Sequence, residues 1–408
     1  MRTVIKICVF VIAGSLLTST SASAVAKQGS VCKKAGMTST VKGVKFTCIK
    51  SGKKLVWSKG VAPGPVASPK PTQEATTSPK PNPVVTPTPT PTVEPIVLPT
   101  SFENLYENRK GISLAAWQKS SEIIKASKSK AGVLEIFTGP NTKPYFDDYQ
   151  TPVNLVSRLF PSRPEPARNI VIRYNYSDIQ WAEDLLRSKL TAQEFTRLNN
   201  NEGGRAISGR CDANARDCNG AMQQTTSNGL SLIIQGVVNR INMGDPTSNF
   251  RFNTGMLEAH EYFHALQRIP IMDKTDVWPH AWFREGSAEW VQNMAVNYNN
   301  FENYQEFIRL DCKFGCRNLS EGDIVEFLQK SKENFTPPEF DQFLNYSLSS
   351  RFIEALVAIK GPDTLIDIYE QMGKRLSFDQ AFKNTYGVEW SYALPILAKT
   401  IHANLNNK

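Results

Sequence analysis

No apolar run in the chain reaches the roughly 20 residues that a membrane-spanning helix requires. The run from Ile7 to Leu17 is too short, so no transmembrane anchor is expected. Cysteine is sparse, seven in 408 residues, and no two C-x2-C units come together, which argues against a cysteine-held metal. Acidic residues are missing altogether from residues 27 to 60, which hold nine lysines. The formal net charge of +9 therefore comes from this short stretch: from residue 101 onward there are 34 basic and 36 acidic residues. The basicity bears on what the small module touches and not on the substrate of the rest. Histidine is scarcest of all, with four residues, and two of them stand four apart.

The start, "MRTVIKICVFVIAGSLLTSTSASA", places Arg2 and Lys6 before an apolar run and ends in Ala22-Ser23-Ala24. This pattern predicts a secretory signal peptide over residues 1 to 24, with the mature chain beginning at Val25 and exported from the cell. The six cysteines that then remain form three local pairs, Cys32 with Cys48, Cys211 with Cys218 and Cys312 with Cys316. An even number in an exported chain predicts disulfides; sequential pairing is the most economical of the fifteen connectivities. Residues 25 to 60 read as a small β module, with strands in "TVKGVKFTCIK" and "KKLVWSK" and a turn at Ser51-Gly52. A bridge closing a loop of this size is worth roughly 3 kcal/mol in the chain-entropy model. Its lysines suit an anionic cell-wall or envelope polymer or serve only for solvation; nucleic acid is not an expected partner outside the cell.

Residues 61 to 100 are rich in proline and threonine, lack backbone donors and predict a disordered spacer. Residues 101 to 408 are globular in composition. Helical spacing in "GISLAAWQKSSEIIKASKSK" and "IQWAEDLLRSKLTAQEFTRLNN" and strands in "ARNIVIRYNYSD" and "GLSLIIQGVVNRI" precede a mostly helical stretch after residue 254. Strands followed by helices predict an α+β fold.

The motif that carries chemistry is "GMLEAHEYFHALQRIP", residues 255 to 270. Asn253 or Thr254 is the expected cap, and Pro270 ends the helix. Residues four apart share a helix face, so His260 and His264 can aim at one ion, with Glu261 beside them to handle a proton. The plain alternative is two satisfied histidines on a core helix. A three-histidine ligand set is excluded because Gln267 and Pro270 occupy its positions. A glutamate from a following helix is the other option, and "DVWPHAWFREGSAEWVQ" offers Glu285 at the opening of such a helix. Gly286, Ser287 and Ala288 would let that helix approach closely, and Glu289 would hydrogen-bond a ligand histidine from behind. A solvated acidic helix edge is the competing explanation for this pair.

"HEYFHALQ" followed by "WFREGSAEW" resembles the gluzincin metallopeptidases, relatives of thermolysin and aminopeptidase N, and most closely the peptidase MA-like group. The likeness covers roughly residues 165 to 400. It implies a zincin-like domain with one zinc ion held by His260, His264 and Glu285, and Glu261 as general base on a peptide or protein substrate. Arg284 stands where the aminopeptidases have asparagine, and no motif for a free amino terminus accompanies it, so an endopeptidase is expected. Tyr346 is the candidate oxyanion donor and His280 the alternative, although either also suits a plain packing or surface role. The resemblance further implies that the strand in "GLSLIIQGVVNRI" is the sheet edge that pairs with substrate. The loops "CDANARDC" and "CKFGC" are expected to stabilise surface turns more than to shape the cleft. Other classes are a non-catalytic envelope-binding scaffold and a hydrolase of non-peptide amides with the same metal set.

Overall fold

A computed structural model of the chain describes residues 30–32, 38–41, 44–51, 54–58, 95–226, 229–240, 247–272, 274, 276–312, 316–331 and 336–406. The expected signal peptide, most of the expected spacer, the second half of the Ser51-Gly52 turn and most lysines of the basic module lie outside the described residues. The chain divides into two compact units, Met1–Thr90 and Pro91–Lys408.

In the first unit, β1 (Thr38–Val41), β2 (Val44–Ser51) and β3 (Lys54–Trp57) form an antiparallel sheet in that order. Cys48 stands opposite Trp57 in the register, and the disulfide from Cys32 to Cys48 closes over them. Cys32, Cys48 and Trp57 are the buried core, with Phe46 and Leu55 packed against it.

The second unit begins with α1 (Ile112–Ala126), β4 (Val133–Thr138), α2 (Gln150–Leu159) and β5 (Arg168–Tyr174). The helical stretch that follows is two helices, α3 (Ile179–Lys189) and α4 (Ala192–Asn201), because Thr191 caps the second by accepting from Glu194 N–H. Next come the two-residue strands β6 (Cys211–Asp212) and β7 (Asp217–Cys218), then β8 (Ala221–Thr225) and β9 (Leu230–Gly236). The main sheet has the order β4-β5-β9-β8, parallel except for β8, which runs antiparallel to β9. Ile170, Val171 and Ile172 of β5 and Leu232, Ile233 and Ile234 of β9 are all buried, as continuous apolar runs require in strands covered on both faces. This corrects one expectation: the strand in "GLSLIIQGVVNRI" is interior, and the edge strand beside it is β8, whose "AMQQT" carries little hydrophobic pattern.

The remainder is helical: α5 (Ser248–Asn253), α6 (Met256–Arg268), α7 (Ala281–Val296), α8 (Phe301–Asp311), α9 (Glu321–Lys330), α10 (Ser347–Lys360), α11 (Thr364–Gly373), α12 (Phe378–Tyr386) and α13 (Trp390–Leu405). The architecture is mixed α+β. All three expected disulfides are formed. Among the described residues, no helix is long and apolar enough to cross a membrane.

Two glycines set the helix pair that matters. Gly255, not Asn253 or Thr254, is the residue before α6; its φ of 87° is left-handed, and a Cβ there would lie 2.8 Å from Phe146 and Pro152. Asn253 instead ends α5. Gly286 lies inside α7, where a Cβ would come within 2.6 Å of Ser349 on α10. Of the small residues on α7, Gly286 makes its close approach to α10, while Ser287 meets α6 by accepting from Gln267 Nε2 at 2.8 Å. Ala259, Tyr262, Phe263 and Leu266 turn the other face of α6 into the main core.

Candidate metal centre

His260 and His264 project from α6 towards Glu285 in the second turn of α7, which opens four residues earlier than expected, at Ala281. The two Nε2 atoms are 3.1 Å apart, and Glu285 Oε2 lies 3.3 Å from that of His264 and 3.7 Å from that of His260. One donor atom from each residue falls within 4.8 Å of the others. All three side chains are largely withdrawn from solvent.

The outer nitrogens determine what these atoms present to one another. Gln267 Nε2 donates to the Arg284 carbonyl at 2.9 Å and to Ser287 Oγ at 2.8 Å, so its Oε1 is the atom that faces His264 Nδ1 at 2.7 Å. An amide oxygen only accepts; Nδ1 therefore carries the hydrogen and His264 Nε2 offers a lone pair. His260 Nδ1 lies 3.5 Å from Glu289 Oε2, a carboxylate oxygen that favours a hydrogen on that nitrogen and leaves Nε2 turned to the cluster. Three lone-pair donors facing one another repel unless a cation sits among them, so this donor set fits a metal ion. In the ion-free chain a proton is the substitute. Burial disfavours the His260 imidazolium, but the Glu285 and Glu289 carboxylates outweigh it and raise its pKa to about 10. Burial likewise opposes ionisation of Glu285, but the His264 and Arg284 charges hold its carboxyl well below the usual range.

Glu261 is buried and lines the same cleft. Burial raises its pKa, and the charges of His260 and His264 pull the other way. Tyr346 stacks on His260 with ring centroids 5.9 Å apart, and burial first, then the Glu285 carboxylate, push its phenol above the ordinary range. It is therefore a donor at any working pH. His280 is not part of the cleft wall: it stacks on Phe378 at 4.4 Å and accepts from Trp282 Nε1, a packing role. His402 lies far along the chain in the last turn of α13.

The cleft has a volume of about 1090 Å³. Residues 221–224 of β8 form part of its wall, and so do Asp212, Ala215, Asp217 and Cys218 of the first disulfide loop. That loop forms part of the rim, the less expected of its two roles; Cys312 and Cys316 are buried in the core.

Three features escape the sequence pattern. Gln267, three residues after His264 on the same helix face, was open to inference from spacing alone. Arg251 on α5, which binds Glu289 Oε1 at 2.6 Å, had no signal in sequence, and neither did the edge position of β8. No protein-family model, no curated protein and no solved structure matches this chain.

Proposed function

We propose that the chain is an exported zinc-dependent endopeptidase with a zincin-like second unit, acting on a peptide or protein substrate. The observation that carries this is the convergence of His260 Nε2, His264 Nε2 and Glu285 Oε2, with His264 Nδ1 held by Gln267 and His260 Nδ1 facing the Glu289 carboxylate. His260, His264 and Glu285 would hold the zinc ion, which when bound would supply a Lewis acid for a peptide carbonyl and lower the pKa of an attacking water towards ~7.

The chain's own groups do the rest. Glu261, buried beside the histidines, takes the proton from the water and returns it to the leaving amine. Tyr346, held protonated, donates to the oxyanion. β8 is the last strand of its sheet and borders the cleft, so an extended peptide can add to it by main-chain hydrogen bonds. The lysine-rich module, in this account, holds the enzyme near an anionic envelope polymer.

The test measures zinc in the purified protein and compares hydrolysis of a peptide library by the wild type and Glu261→Gln. One equivalent of zinc and a rate reduced by about 10²- to 10⁴-fold in the variant are expected, the usual contribution of a general base. Metal-free protein, or a variant that cleaves as fast as the wild type, sinks the proposal and leaves a non-catalytic scaffold.

A further inference from the structure

Glu285 and Glu289 stand four residues apart on α7, and the same arrangement recurs at both. Arg284 approaches Glu285 Oε1 twice, from Nε at 2.8 Å and from one terminal nitrogen at 2.7 Å, while Oε2 is turned to the two histidines. Arg251 approaches Glu289 Oε1 at 2.6 Å, while Oε2 is turned to His260 Nδ1. Each carboxylate has one oxygen held by a guanidinium and the other left for the metal cluster.

The two arginines reach the site from different directions and are themselves held. Arg284 precedes Glu285 on α7 and lies over the Trp278 ring, 5.4 Å from its centroid. Arg251 comes from α5 and is also 3.5 Å from Asp311 at the end of α8, one residue before the Cys312 to Cys316 disulfide. A guanidinium is a donor-only planar fork, always charged, so it fixes the rotation of a carboxylate where a water or a hydroxyl would leave it free. Side-chain exposure is 11% for Glu285 and 1% for Glu289, so neither oxygen has an ample supply of water as a competing partner.

We propose that Arg284 and Arg251 are positioning residues that preorganise the metal centre. Arg284 assigns Glu285 Oε2 alone to the ion, and Arg251, through Glu289, fixes the ring of His260. The arginine that departs from the aminopeptidase pattern at position 284 thereby has a definite task, one that asparagine would perform with less reach and no charge. This inference rests on the proposed metal site but does not require that the site be catalytic.

The experiment uses the full mature chain and zinc alone as ligand, with affinity measured by chelator competition in wild type, Arg284→Met and Arg251→Met. Cobalt(II) absorption provides a second readout of ligand geometry. Loss of a supporting partner weakens metal binding by about 10- to 100-fold, and a changed cobalt band should accompany it. Lysine variants keep the cation but lose the fork, so each should recover only part of that affinity; if a methionine variant does not fold, its lysine counterpart carries the test by the same partial loss. Simple charge repulsion predicts the opposite sign, because removing a cation beside a metal site tightens binding. Unchanged or tighter affinity in folded variants therefore overturns this inference while leaving the metal site intact. Wild-type protein that takes up no zinc overturns both.

Discussion

The two units bury very different things. In the first, the buried core among the described residues is Cys32, Cys48 and Trp57, under a three-stranded sheet. In the second, the larger of two apolar clusters among the described residues extends from Phe102 to Ile401 and packs around a helix pair that carries buried glutamates. A core as small as the first has little hydrophobic stabilisation in reserve and depends on a covalent staple. The larger core can offset the desolvation of several ionised groups, provided each has a partner, and the pairs at Glu285 and Glu289 meet that condition. The candidate metal centre lies where the packing is deep enough to hold charge in place.

The largest expected effect breaks the weaker side of this comparison. Replacing Cys32 and Cys48 together by serine removes roughly 3 kcal/mol of loop constraint, comparable to all that so small a core supplies. Residues 30–58 should become sensitive to protease while zinc uptake by the second unit is unchanged. Persistent resistance of that segment in the double variant would show that the sheet does not depend on its staple.

Next in size is Gly286→Ala, which strikes the deep packing directly. The added methyl would meet Ser349 on α10 at 2.6 Å, and overpacking of this kind costs about 1 to 3 kcal/mol. Because Glu285 is the adjacent residue, α7 should shift and zinc affinity should fall along with the midpoint of thermal unfolding. A variant as stable as the wild type would mean that α7 and α10 have slack.

How much of this could be read beforehand follows the same division. Four-residue spacing is a local property, so His260 with His264 and Glu285 with Glu289 were legible, as were the disulfides between near neighbours. Strand β5 announced itself through Ile170, Val171 and Ile172. What depends on distant pairing was not: β8 pairs antiparallel with β9 and makes interior the strand that the resemblance implied to be an edge, and Arg251 meets Glu289 across 38 positions. Gly255 hid for a different reason. The chain enters α6 through its left-handed φ, a backbone device that leaves no side-chain signal, whereas Asn253 and Thr254 carry the side chains of ordinary caps.

The smallest expected effect tests whether the second unit distributes its stability. Ser377 caps α12 by accepting from Gln380 N–H, while Gln380 Oε1 accepts from Ser377 N–H at 3.1 Å. Ser377→Ala should cost about 1 kcal/mol, the ordinary value for a lost cap. α12 packs Phe378 against Trp282, at the start of α7, and Phe382 against Trp390, and none of its residues touches His260, His264 or Glu285 in any ring contact, hydrogen bond or ion pair among the described residues. In a core of this size the loss should move the unfolding midpoint by only about 2 °C. Zinc affinity should not change, because nothing in the Glu285 and Glu289 pairs depends on that cap. If the cap variant also loses zinc, the helices of this unit behave as one tightly strained body, and the contrast drawn between a stapled sheet and a tolerant core fails on its stronger side.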